Sequence, residues 1–305
     1  MKIIDIHTHG ICGYDTSTTT EGDILKIAEI HGSCGVSEIV PAIYSAPKNI
    51  MRENIMMVKK AMEIRESGVR SQELGVKKLS ILDSRPSTIL GVHLEGPFLN
   101  PSRSGALDAA SFIEPTEYSF KELIEGFEDM VKIITVAPEI KGAARLIKKM
   151  SDMGIIVSMG HSDATYAEAE AGFNAGARGI THIFNAMRGF HHREPGLAGF
   201  GLLNQDIYIE VIADPYHLHP KTLELIFKIK NHRRIIIISD TVKESKKEDA
   251  RERKKGITNI HGKLSGGCMT VTESSKRLIE MGFNEGVIMR CITKNPERYL
   301  LENIN

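Results

Sequence analysis

The stretch KIIDIHTHG, residues 2–10, decides how the rest of the chain is read. Its isoleucines alternate with polar side chains as in a short strand. A period of two places Asp5, His7 and His9 on one face and Ile4 and Ile6 on the other. Two histidines one residue apart on a shared face have ligand geometry. Taken alone, an H-x-H pair is more often a satisfied core or surface feature, and two imidazoles are too few to hold an ion. The pair acquires meaning only beside the polar residues that end the other strands of the chain.

Seven further β-branched runs end, as the first does, in polar residues: SEIVPAIYS (37–45), ILGVHLEGP (89–97), KIITVAPE (132–139), IIVSMGHSD (155–163), GITHIFNAM (179–187), IYIEVIADPYH (207–217) and RIIIISDT (234–241). Helix-like patterns lie between them over 20–34, 47–67, 116–127, 142–154, 166–176 and 220–230, the first opened by Thr20 and Asp23 at capping-box spacing. Alternation of this kind predicts parallel strands with crossover helices. Eight units predict closure into a (β/α)8 TIM barrel, an α/β fold, rather than an open sheet. The rival, a doubly wound sheet, is weakened because no G-x-G-x-x-G follows the first strand. At 305 residues, one barrel with insertions accounts for the whole chain, read as a single domain over 1–305. The insertions are a polar segment over 68–86 and a mixed-charge run over 243–255. The latter reads as a solvated face, with a flap over the site as the alternative.

Composition narrows the partner. Thirty-nine basic and 39 acidic residues balance to zero, so no overall field recruits nucleic acid or an anionic membrane surface, and a small molecule is the better partner. No run approaches the ~20 apolar residues of a membrane span, and the start lacks the apolar core of a signal peptide. The chain reads as cytoplasmic. Cys12, Cys34, Cys268 and Cys291 form no C-x-x-C pair, which argues for reduced thiols rather than a disulfide framework or zinc ribbon.

A barrel gathers the polar residues of its strand C-terminal ends around one mouth. Here they are His7 and His9, Glu95, His161, His182, Asp214 with His217, and Asp240. A glutamate and two histidines suffice for a catalytic ion that keeps one position open for water. A lone buried Glu would otherwise be a salt-bridge partner and a lone His a hydrogen-bonded core residue. Five strand units ending alike outweigh that bland reading. Asp240 reads either as the cap of a following segment or as a general base beside the ion, and the ligand set favours the second. His217, Arg193 and the backbone near Asn185 and Ala186 are each ordinary loop features, but together they suit an anionic group such as phosphate.

In order, DIHTHG, HLEGPF, GHSDATY, THIFNAM, REPGLAG, AD-x-x-H, ISDT and KLSGG-x-MT resemble the N-acetylglucosamine-6-phosphate deacetylases of the amidohydrolase superfamily over nearly the whole chain. The resemblance implies that Glu95, His161 and His182 bind the principal divalent ion and that Asp240 is the acid/base, itself counted among the metal ligands. It implies that His7 and His9 hold a second ion bridged by Glu95, so one or two ions are expected: zinc first, with iron, manganese, nickel or cobalt as alternatives. Ala106, Asn185, Ala186, Arg193, His217, Leu264, Ser265 and Gly266 match substrate-contacting positions for a phosphorylated amino sugar, the arginine reaching across a homodimer interface. Three departures stand out. The β-domain that family members carry around the barrel has no counterpart here; Leu107 stands where relatives carry a polar residue that polarises the amide carbonyl; and Pro215 and Tyr216 replace a Gly and its neighbour. The expected reaction is metal-assisted amide hydrolysis releasing acetate. The alternatives are a related amidohydrolase acting on another N-acyl amino sugar phosphate or a small cyclic amide, and a non-catalytic metal-binding relative.

Overall fold

A computed structural model describes residues 2–67, 85–246 and 256–302. Most of the 68–86 insertion and most of the 243–255 run therefore lie outside the described residues. All eight sequence runs contribute a strand, and the strands pair in parallel in chain order. They are β1 (Ile4–Thr8), β2 (Glu38–Tyr44), β3 (Val92–Glu95), β4 (Val131–Val136), β5 (Ile156–Met159), β6 (Gly179–Ile180), β7 (Tyr208–Ile212) and β8 (Ile235–Ile238). A two-residue strand, Thr88–Ile89, also pairs with the start of β2.

The strands are apolar on both faces because a parallel barrel buries both. In β7, Tyr208 and Ile212 pack inside the barrel with Ile4, Ile6, Ile133, Ile156, Ile236 and Ile238. Ile209 and Val211 pack outward against helix residues such as Leu223 and Ile226. Burial of each such isoleucine contributes roughly 1.5–3 kcal/mol. The period-two reading of β1 is only partly kept: its pairing register with β2 shifts between Asp5 and Thr8, and Ile4 and Ile6 join the interior group while Asp5 and His7 are also fully buried.

Closure between β8 and β1 is made at the mouth rather than by a regular ladder. Asp240 N donates to His7 O at 2.9 Å, and the amides of His9 and Gly10 donate to Thr241 O at 2.8 and 2.9 Å. These bonds bring the first and last barrel strands together where the polar residues sit.

Ten helices are described: α1 (Glu21–Ser33), α2 (Lys48–Glu66), α3 (Glu117–Ile124), α4 (Ala143–Asp152), α5 (Tyr166–Ala175), α6 (Gly196–Leu203), α7 (Pro220–Ile229), α8 (Val271–Glu280), α9 (Glu285–Cys291) and α10 (Lys294–Leu301). Thr20 does cap α1, but the capping box with Asp23 is not formed. Thr20 accepts from Gly22 N, while the Asp23 carboxylate accepts the Thr18 hydroxyl at 2.6 Å. Full boxes occur instead at Thr165 with Glu168 and at Thr270 with Glu273. Helix α6 is missing from the sequence reading because its glycines look like breakers. They are needed for close packing: a Cβ at Gly201 would meet Ile180 Cδ1 at 2.6 Å. Helix α10 closes the barrel floor with buried Tyr299, whose ring lies 4.9 Å from that of Tyr208. A Cβ at Gly179 would meet the Tyr299 hydroxyl at 2.0 Å, so the strand and the plug fit only with glycine there. All four cysteines are free thiols. Among the described residues, no helix is long and apolar enough to cross a membrane.

Candidate active site and metal centre

The strand ends build a cavity of about 610 Å³ at the C-terminal mouth. Three side chains aim into it from left-handed backbone: His161 (φ 47°), His182 (φ 30°) and Asp240 (φ 47°). Phe184 and Ala186 share this region at 75° and 47°, which explains why only Gly179–Ile180 of the GITHIFNAM run is strand. Such backbone costs a non-glycine residue on the order of 1–3 kcal/mol, and it persists where surrounding structure over-determines it.

The side chains converge in two groups that share Glu95. In the first, His161 Nε2 and His182 Nε2 each lie 3.1 Å from Glu95 Oε1 and 3.1 Å from each other. In the second, His7 Nε2 and His9 Nε2 are 3.3 Å apart, and each approaches Asp240 Oδ1, at 3.6 and 3.5 Å. Glu95 reaches this group too, Oε1 at 3.6 Å from His7 Nε2 and Oε2 at 3.3 Å from His9 Nε2. Two imidazole nitrogens facing each other at such distances cannot satisfy one another while both are lone-pair donors. A divalent cation between the donors removes the conflict, and carboxylate plus imidazole is a ligand set that suits one.

The remaining nitrogens are largely anchored. His9 Nδ1 lies 3.1 Å from Ala42 O, His161 Nδ1 3.1 Å from Arg103 O, and His7 Nδ1 3.0 Å from Glu210 Oε2. His182 Nδ1 is buried with no partner among the described residues. Tyr44 stacks on His9 with centroids 3.8 Å apart and planes 8° from parallel, fixing its tilt.

Burial sets the electrostatics. It holds His7 neutral well below the usual imidazole range and takes His93 down to about 3, and neutral imidazole is the ligating form. Burial, then the nearby Glu95 charge, pushes Asp240 well above the usual carboxylate range. Glu95 is also pushed up by burial, but His161, His182 and His9 outweigh this and hold it well below. A buried rim with several carboxylates and neutral imidazoles is electrostatically suited to a cation.

Most expected site residues meet here. His9, Glu95, Ala106, Leu107, His161, His182, Asn185, Ala186, His217, Asp240, Leu264, Ser265 and Gly266 all line the cavity. His7 lies beneath its floor, fully buried. Arg193 does not line it; the residue is exposed in its loop. Asp240 caps no helix among the described residues: Thr241 beside it bridges to Gly267, and a turn follows over 243–246. Asp214 holds His217 by its Nδ1 at 3.0 Å and accepts three backbone amides, from Tyr216, His217 and Cys268. Burial pushes the Asp214 carboxyl up, but these partners, His217 foremost, bring it down to about 2.

The sequence reading missed His93, Glu210 and Tyr44. His93 carried a signal, standing two residues before Glu95 and so on the same face of β3. Glu210 carried another, as the one charge inside the IYIEVIA run.

An eight-stranded α/β barrel whose ionisable side chains meet at its C-terminal mouth has the architecture of a barrel enzyme. The chain belongs to the amidohydrolase family, whose family model matches residues 2–300. It is 30% identical to an N-acetylglucosamine-6-phosphate deacetylase of Vibrio furnissii, over 90% of this chain and 67% of that protein. It is 28% identical to an N-acetylgalactosamine-6-phosphate deacetylase of Escherichia coli O157:H7, over 97% of this chain and 76% of that protein. The crystal structure of the N-acetylglucosamine-6-phosphate deacetylase of Thermotoga maritima superposes with a TM-score of 0.80 at 25% identity, covering 98% of this chain and 77% of the other.

Proposed function

We propose that the chain hydrolyses the acetamide of N-acetylglucosamine 6-phosphate to glucosamine 6-phosphate and acetate, acting as a single barrel unit. The observation that carries this reading is the convergence of Glu95, His161 and His182 within 3.1 Å at the floor of a cavity also lined by Asp240. A divalent ion held by these donors, with a second at His7 and His9, would supply Lewis acidity for the carbonyl and lower the pKa of water. Zinc fits the donor types best, with iron, manganese, nickel and cobalt compatible.

This chain's own groups do the rest. Asp240 takes the proton of the attacking water and passes it to the departing amine. His217, locked by Asp214 through Nδ1, turns its other ring nitrogen to the phosphate, aided by amides near Asn185 and Ala186. Ala106 and the Leu264–Gly266 strand wall the sugar subsite. The Leu107 side chain offers no hydrogen bond, so polarising the carbonyl would fall to an ion held by Glu95, His161 and His182. Arg193 belongs to the phosphate site of a second copy in a cytoplasmic homodimer, which accounts for its position outside its own cavity.

The similarity to the Escherichia coli relative supports a second reading, the galactosamine epimer as substrate. Metal analysis of the purified protein, coupled to acetate release from both N-acetyl sugar 6-phosphates and their unphosphorylated forms, tests both. Acetate from neither phosphate with zinc, manganese or iron supplied would end the hydrolase reading.

A further inference from the structure

Below the rim lies a third cluster, His7, His93 and Glu210, with ligating atoms within 4.8 Å of one another and every member buried. It is not arranged as an ion site of its own. Both nitrogens of His93 are already engaged, Nδ1 with Ile6 O at 3.2 Å and Nε2 with Thr135 Oγ1 at 2.8 Å. His93 is instead a wall, its ring 4.5 Å from that of His7.

Glu210 is different. It stands in the middle of β7, 1% exposed, with no lysine or arginine paired to it among the described residues. Oε2 lies 3.0 Å from His7 Nδ1 and 3.4 Å from the backbone amide of His182, while Oε1 has no partner among the described residues. Oε2 already takes the His182 amide and so is the accepting oxygen of the carboxyl, which makes His7 the donor to it through Nδ1–H. Its Nε2 is then left with a bare lone pair, and this is the atom that faces His9, Glu95 and Asp240.

We propose that Glu210 is a positioning residue that fixes His7 in the Nδ1–H tautomer and, through the same oxygen, anchors the backbone of His182, so that one buried carboxylate tunes both donor groups. This inference rests on the metal-centre reading of the rim. A carboxylate behind a ligating histidine raises ligand basicity and fixes ring orientation, and losing such a partner typically weakens ion binding about 10–100-fold.

The test strips the full-length chain of metal and titrates it with Zn²⁺ against a chromophoric chelator, and with Co²⁺ followed by visible absorption. Wild type is compared with Glu210→Gln and Glu210→Ala. Expected are ion affinities weakened about 10-fold in Glu210→Gln and about 100-fold in Glu210→Ala, with an altered Co²⁺ spectrum and an unchanged far-ultraviolet circular dichroism spectrum of the metal-free protein. Variants that melt earlier yet bind ions as tightly as wild type, with the same Co²⁺ spectrum, overturn the inference and leave the hydrolase reading standing. A wild-type chain that binds no ion overturns both. Should the variants not fold, long-range ¹H–¹⁵N correlation on the Zn²⁺-loaded wild type decides: His7 protonated on Nδ1 supports the assignment, and protonation on Nε2 refutes it.

Discussion

The two donor groups that share Glu95 are drawn together unequally. His161 and His182 stand 3.1 Å from the carboxylate and from each other, whereas the contacts among His7, His9 and Asp240 run from 3.3 to 3.6 Å. The tighter group sits at the ends of β3, β5 and β6, inside the continuous ladder. The looser one straddles the seam where β8 meets β1 with no regular pairing. Coordination is only as rigid as the backbone behind it, and so the seam group should hold its ion more weakly and lose it first to a chelator.

The largest effect is expected from Glu95→Ala, which touches both groups. Metal analysis should find neither ion, and turnover should fall by about 10³-fold or more, since several kcal/mol of charge stabilisation go with the metal. Retained ions in that variant would dissolve the idea of a shared carboxylate. Asp240→Asn comes next: a fall of about 10²–10⁴-fold in kcat, with the His161–His182 ion still present by elemental analysis. A variant that turns over normally would remove Asp240 from the chemistry. His9→Ala should separate the groups, lowering ion stoichiometry by one while cutting activity only about 10–100-fold; loss of all metal would show that the groups are not independent.

His217→Ala should act away from both groups. Removing a hydrogen bond to a charged group is worth about 1.5–3 kcal/mol, so KM for the phosphorylated sugar should rise by roughly 10-fold or more with little change for its unphosphorylated form. Equal effects on the two would take His217 out of the phosphate site. The smallest effect concerns acid stability. Asp214 has a folded value of about 2 against an ordinary 3.8, so its contribution is present above pH 4 and is lost as pH falls through 2. Asp214→Asn should flatten that part of the melting temperature against pH curve; an unchanged slope between pH 4 and 2 would locate the acid sensitivity elsewhere.

Much of this arrangement was legible from the chain alone. Eight β-branched runs with polar ends are enough for a parallel barrel, because a strand buried on both faces has little choice but to be apolar until it reaches the mouth. That same rule exposed Glu95, His161, His182 and Asp240. What stayed hidden depended on tertiary contact. The left-handed backbone at His182, Phe184 and Ala186 leaves no mark in a sequence whose residues look strand-like. Helix α6 is written in glycines whose use appears only when β6 lies against it. Tyr44 looks like any strand residue until it stacks on His9. His93 and Glu210 were visible as ionisable groups in apolar runs, but the H-x-H pair drew attention to the rim and not to what stands beneath it.

The fit between Gly179 and Tyr299 has a consequence for biosynthesis. The floor of the barrel is completed by Tyr299, which follows the last barrel strand in sequence, so a nascent polypeptide that has emerged only through β8 has its strands but not its stopper. Its lower opening then presents apolar side chains to whatever is near the ribosome. A bulkier residue at 179 would meet the Tyr299 hydroxyl and push that ring from its seat.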